Sequence, residues 1–126
     1  EGKDVFVADD IIASGDSILD LAYNLKKRKA KRVFAGATFA FFTSGLEAFD
    51  KAYSEGIIDH VFATNLTYTP KEVLERPWFS QADMSKYMAF VIATLNHDQS
   101  LSYLLNPWNR IEKLLTKYRA DHPVED

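Results

Sequence analysis

Two adjacent carboxylates, Asp9 and Asp10, stand just ahead of a short run of small and hydroxyl-bearing residues, Ala13-Ser14-Gly15-Asp16-Ser17. Such a set has a definite chemistry. A loop feeding a helix N-terminus presents unpaired backbone N–H groups and the positive end of the helix dipole, which suits a phosphate. Gly15 allows close backbone approach or a positive φ. Ser14 and Ser17 add hydroxyl donors. Adjacent carboxylates can accept hydrogen bonds from neighbouring sugar hydroxyls, or hold a divalent cation directly or through water. The pattern outlines a phosphate on one side of the site and a diol on the other. An acidic pair can also simply close a strand, and both readings stand at this level.

The surrounding elements must place that loop at a strand's carboxyl end. Asp4–Ala8 is short, apolar and β-branched, which predicts a buried strand closed by Asp9-Asp10. Ile18, Leu21, Ala22 and Leu25 recur at helical spacing and predict a helix from about Ser17 to Lys29, with Ser14, Asp16 and Ser17 able to cap it. Arg32–Phe41 reads as a second strand. Ser44 with Glu47 forms a capping-box pattern for a helix through about Ser54, stopped by Gly56. His60–Thr64 reads as a third strand. The alternation predicts an α/β fold with a parallel βαβαβ core and right-handed crossovers.

After Asn65, Thr69-Pro70 and Arg76-Pro77 mark turns around one helical turn. A helix starts at Asp83 or Ser85, with Tyr87, Met88, Val91, Ile92 and Leu95 on one face. His97–Leu105 is a connector, and Trp108, Ile111, Leu114, Leu115 and Tyr118 mark a last amphipathic helix. Residues 1–118 are expected to form one domain, with 119–126 as a frayed polar tail.

Composition narrows the classes. The chain has 126 residues, 47% apolar and 26% charged, which excludes a disordered tail or a disulfide scaffold. It has no cysteine, which excludes thiolate chemistry and fits a cytoplasmic setting. The net charge of −3 argues against a nucleic-acid binder. The run Val33–Phe42 is too short to span a bilayer, and no signal peptide is evident. The basic cluster Lys26, Lys27, Arg28, Lys29, Lys31 and Arg32 reads as a solvated helix end, the alternative being an anion or partner surface. His60, His97 and His122 lack metal-ligand spacing, and Trp78, Phe79, Trp108 and Tyr118 read as packing residues, covering the sheet or burying against a missing half or a neighbouring subunit. The chain starts at Glu1, with no Met and a strand at once, as a piece of a longer protein would.

The run Val7-Ala8-Asp9-Asp10-Ile11-Ile12-Ala13-Ser14-Gly15-Asp16-Ser17 resembles the signature of the type I phosphoribosyltransferase fold. Three further segments resemble the ribose-phosphate pyrophosphokinases, or PRPP synthetases: Gly36-Ala37-Thr38, Gly56 to Asn65, and Ser100-Leu101-Ser102-Tyr103-Leu104-Leu105. The resemblance runs from about Lys3 to Leu115. It implies a doubly wound phosphoribosyltransferase-like domain followed by helices. It also implies an enzyme that transfers diphosphate from ATP to ribose 5-phosphate with Mg²⁺, giving PRPP and AMP. By that match, Ala13, Ser14, Gly15, Asp16 and Ser17 cradle the 5-phosphate. Asp9 and Asp10 hold the ribose hydroxyls directly or through magnesium-bound water. Ser100 and Ser102 fall in a loop with a regulatory phosphate or nucleotide role between subunits of a homo-oligomer; the alternative is a plain polar connector.

Three residues depart from the family pattern. Ala13 stands where many relatives carry an acid, Asp16 where small residues are usual, and Phe39 where a histidine is common. The family's mobile Lys/Arg loop, its nucleotide-binding residues and its magnesium-binding histidine lie ahead of this segment. The resemblance therefore implies the carboxyl-terminal part of such an enzyme, holding no catalytic residue and inactive without the N-terminal half. A phosphoribosyltransferase using PRPP and a nucleobase, and a non-catalytic PRPP-fold subunit, are the other readings.

Overall fold

The computed structural model describes residues 1–122. In chain order the elements are β1 (Val5–Ile12), α1 (Asp16–Lys27), β2 (Val33–Ala40), α2 (Glu47–Ser54), β3 (His60–Thr64), α3 (Lys71–Leu74), β4 (Phe79–Ala82), α4 (Ser85–Asn96), α5 (Ser102–Leu105) and α6 (Trp108–Asp121). The four strands form one sheet in the order β1-β2-β3-β4 with every pairing parallel. The chain divides into two compact units, Glu1–Met84 and a second that begins at Ser85.

In the first unit, one sheet face carries Val33, Ala35, Ala37, Val61 and Ala63, all buried. Ala35, Ala37, Val61 and Ala63 of that face form one core with Ile18 and Leu19 of α1 and Phe49 and Ala52 of α2. Small alanines in the central strands let the helices sit close, and aromatic rings fill the remaining volume. Phe49 stacks on Trp78 with centroids 5.3 Å apart, and Phe42 meets both rings edge-on at 5.1 and 5.7 Å. The Trp78 indole N–H donates to Asp50 Oδ1 at 2.7 Å, so its polar edge is paired within the core. The opposite face carries Phe6, Phe34, His60 and Phe62, none of them buried.

Several expectations are corrected. β1 does not stop at Ala8; it runs through Asp9 and Asp10 to Ile12, because the ladder with β2 continues from Val5↔Val33 to Ile12↔Ala40. Nor is it buried: it is an edge strand, and only Ile12 is fully covered. No side chain caps α1; its N-cap is Gly15, with φ 94°. The capping box at Ser44 does not form either, since α2 starts at Glu47 after Leu46 with no side-chain cap. Gly56, with φ 67°, follows α2 as expected. A fourth strand, β4, extends the expected core. Pro77 and the polar Ser80 and Gln81 hide it in the sequence, yet Val61 N–H donates to Trp78 O at 2.7 Å and zips it onto β3.

The helical unit departs further. Of the face proposed for α4, Met88, Ile92 and Leu95 are exposed, and the buried position is Thr94. The Thr94 hydroxyl donates to Phe90 O at 2.8 Å and lies 3.0 Å from the Tyr103 hydroxyl. Trp108 and Tyr118 are not packed into a core among the described residues; both are largely exposed. α6 continues past Tyr118 to Asp121, where the His122 ring stacks on Tyr118 at 4.3 Å. The helix thus enters the first part of the expected tail; residues 123–126 lie outside the described residues.

Half of the basic cluster is paired locally. Lys26 Nζ meets Asp59 at 3.3 Å, Lys29 meets Glu1 at 2.7 Å, and Arg32 is paired with Asp4. The Arg32 guanidinium bonded to Asp4 holds that carboxyl below its ordinary pKa.

Candidate functional site

The carboxyl ends of β1, β2 and β3 lie side by side, since all pairings are parallel. Open α/β sheets bind ligands at this edge. β1 ends at Ile12, Ala13 to Gly15 turn, and α1 starts at Asp16. Gly15 is required here twice over. Its φ of 94° is a left-handed value, and a Cβ would overlap the Phe49 ring. The turn is thus clamped onto the aromatic core, which fixes the backbone that opens α1.

A cavity of about 110 Å³ sits at this turn. It is lined by Asp9 and by Ala13, Ser14, Gly15 and Ser17, together with neighbouring isoleucines. The structure therefore brings together five of the seven expected sugar-phosphate residues. Asp10 and Asp16 stand outside that lining. At Asp10 the ladder with β2 skips a partner, running from Asp9↔Ala37 directly to Ile11↔Phe39, and Ile11 and Ile12 both reach the cavity. Asp9 Oδ1 accepts the Asp10 N–H at 2.8 Å, and the rest of the carboxylate is exposed.

Asp16 turns back on the loop. Its carboxylate accepts the Ser14 hydroxyl at 2.9 Å, while its own N–H points to Ser14 Oγ at 3.4 Å. The Ser14 hydroxyl is thus engaged by a neighbouring acid.

Asp9 also borders a second, shallower groove of about 270 Å³ that includes Gly36, Thr38 and Thr64. The Thr64 hydroxyl donates to Thr38 O at 2.6 Å. Thr38 and Thr64 lie toward the carboxyl ends of β2 and β3, and that position is the sequence signal for them. Asn65, one residue on, donates to Asp83 Oδ1 at 2.7 Å and accepts the Met84 N–H at 2.8 Å, stitching the end of β3 to the segment after β4. Phe39 stacks on Phe41 with centroids 6.5 Å apart. Ser100 and Ser102 belong to the helical unit, where their hydroxyls bond each other at 2.8 Å. Larger hollows of about 540 Å³ along α6 are open helix faces rather than enclosed sites.

Among the described residues, no three acidic or imidazole groups converge on one point. Magnesium carried by one carboxylate, waters and a substrate's own phosphates needs no such cluster, so the exposed Asp9 carboxylate suits that mode. No helix among the described residues is long and apolar enough to cross a membrane.

Comparison with known proteins decides the family. Residues 1–106 match the phosphoribosyl synthetase-associated domain. The chain belongs to this phosphoribosyl synthetase family. A ribose-phosphate pyrophosphokinase of Vibrio cholerae is 35% identical over 106 residues, covering 84% of this chain and 33% of the relative. The human phosphoribosyl pyrophosphate synthase-associated protein 2 is 31% identical over 103 residues, covering 82% of this chain and 27% of the relative. The chain thus spans about a third of the length of the curated relatives it matches. The crystal structure of phosphoribosylpyrophosphate synthetase from Mycobacterium smegmatis superposes with TM-score 0.66 at 21% identity, over 78% of this chain and 32% of that one. That likeness shows the fold: an α/β parallel sheet followed by helices, as the sequence predicts.

Proposed function

We propose that this phosphoribosyl synthetase chain supplies the sugar-phosphate half of a ribose-phosphate diphosphokinase site and binds ribose 5-phosphate or PRPP. The observation that carries the reading is the cavity that unites Asp9 with Ala13, Ser14, Gly15 and Ser17 at the N-terminus of α1. The backbone amides and the helix dipole favour the phosphate, and Asp9 accepts the ribose hydroxyls. When present, Mg²⁺ would be held through water by Asp9 and would neutralise diphosphate charge. The chain's own part is positioning: it fixes the sugar so that its 1-hydroxyl faces a diphosphate donor bound elsewhere in the full protein. ATP binding and catalysis belong to that remainder, so the chain alone makes no AMP. A coupled assay detecting AMP from ATP and ribose 5-phosphate with this chain alone would overturn that part.

Calorimetric titration with ribose 5-phosphate tests the site. Asp9→Asn is expected to weaken binding by about tenfold, the loss of roughly one charge-assisted hydrogen bond. Asp10→Asn, outside the cavity lining, is expected to change it by less than about twofold. Equal losses, or no saturable binding by the unaltered chain, would sink the assignment.

A second reading has its own support. Asp16 puts a carboxylate on the Ser14 hydroxyl, and one set of relatives carries the name synthase-associated protein. In that reading the chain belongs to a non-catalytic subunit that assembles with an active synthetase. An Asp16→Asn variant that binds ribose 5-phosphate no better than the unaltered chain would count against a blocked site.

A further inference from the structure

Helix α6 lies outside the residues that match the family, which end at 106. It is amphipathic, and none of its residues is buried. At about 100° per residue, Trp108, Ile111, Leu114, Leu115 and Tyr118 fall within an arc of about 120°. All five are exposed, Leu114 by 70% and Trp108 by 69%. Trp108, Ile111, Leu115 and Tyr118 follow the alternating three- and four-residue spacing of a helix-pairing seam.

The charges beside this stripe indicate what covers it. Glu112 and Arg119 border one side; Arg110, Lys117 and Asp121 border the other. Both opposite-charge pairs are centred on one point of the helix, between Leu115 and Thr116. A two-fold axis through that point, perpendicular to the helix, sets Glu112 of one copy against Arg119 of the other. The same axis sets Arg110 against Asp121. Such symmetry is the requirement for an isologous contact between identical surfaces.

We infer that α6 is a self-association element: two copies of this chain pair their α6 helices antiparallel, Leu114 and Leu115 at the centre and the Glu112–Arg119 pairs at the border. A contact between single helices of this length is small, at or below the low end of specific interfaces. The dimer is therefore weak and concentration-dependent. Arg110 already lies over the Tyr87 ring at 5.7 Å, which makes Glu112 and Arg119 the pair to probe.

Sedimentation equilibrium of the 126-residue chain over a wide concentration range tests this. The unaltered chain is expected to show a monomer–dimer equilibrium, and Leu114→Glu to remove it. Glu112→Arg and Arg119→Glu, each creating two like-charge contacts, are each expected to weaken the homodimer by at least about fivefold. An equimolar mixture of these two variants restores every opposite-charge contact and is expected to dimerise at least as tightly as the unaltered chain. Circular dichroism checks that helix content is equal across all proteins. A chain monomeric at every concentration, covered instead by another part of a longer protein, overturns the inference. So does a dimer indifferent to Leu114→Glu, or a mixture no tighter than either variant alone.

Discussion

The two tryptophans summarise the contrast between the units. Trp78 is 0% exposed, stacked on Phe49, edge-on to Phe42 and hydrogen-bonded to Asp50. Trp108 is 69% exposed and opens a helix with no buried residue. In the Glu1–Met84 unit, strands, α1 and α2 converge on one aromatic centre. Beyond Ser85, the buried side chains are Thr94 and Leu104 among the described residues. The lesson is that similar apolar content yields opposite outcomes. A sheet gives helices a surface on which to bury a stripe, whereas isolated helices keep theirs for something else.

The largest effect should come from breaking the centre of the first unit. Trp78→Ala removes a fully buried indole and is expected to cost about 4 kcal/mol, while Trp108→Ala should change monomer stability by less than about 0.5 kcal/mol. Urea unfolding of both variants at low protein concentration measures the difference; similar losses would erase the contrast. Next comes Gly15→Ala, which adds a Cβ where φ is positive and the Phe49 ring already sits. About 3 kcal/mol is expected, and a loss under about 1 kcal/mol would mean the turn is not clamped to the core. Within the helical unit, Thr94→Val deletes the hydroxyl shared by Phe90 O and Tyr103. About 1 kcal/mol is expected, read as faster amide exchange in α4 and unchanged exchange in β2 and β3.

The smallest effect is a pH dependence. Arg32 holds the Asp4 carboxyl below its ordinary pKa, so the native pair favours the ionised form. Its contribution is present above the unfolded carboxylate pKa, about 4, and fades as pH falls through the lower native value. The melting temperature of the unaltered chain minus that of Asp4→Asn should shrink on acidification; a constant difference would contradict the pairing.

The sequence made the parallel core legible because β-branched runs, helical periodicity and Gly56 all agree locally. It hid β4, whose Ser80 and Gln81 suit a strand only once β3 offers a ladder. It misplaced the end of β1, because pairing with β2 carries Asp9 and Asp10 into the strand against their propensity. That last point bears on the site. Read as a loop, the two carboxylates look equivalent; held in the strand they differ, for Asp9 lines the cavity and Asp10 stands outside it. The Ser14–Asp16 bond had no sequence signal beyond a capping pattern, which the Gly15 cap replaced. In the helical unit, periodicity placed the helices but not the covered face: in α4 the buried position is Thr94, off the apolar stripe.

The claim that the turn after β1 is a sugar-phosphate site is tested most directly by backbone amide NMR during titration with ribose 5-phosphate. The account predicts saturable shifts concentrated at Ala13, Ser14, Gly15, Asp16 and Ser17, with smaller ones at Thr38 and Thr64. Shifts absent from that turn, or centred on α4 to α6 instead, would contradict it.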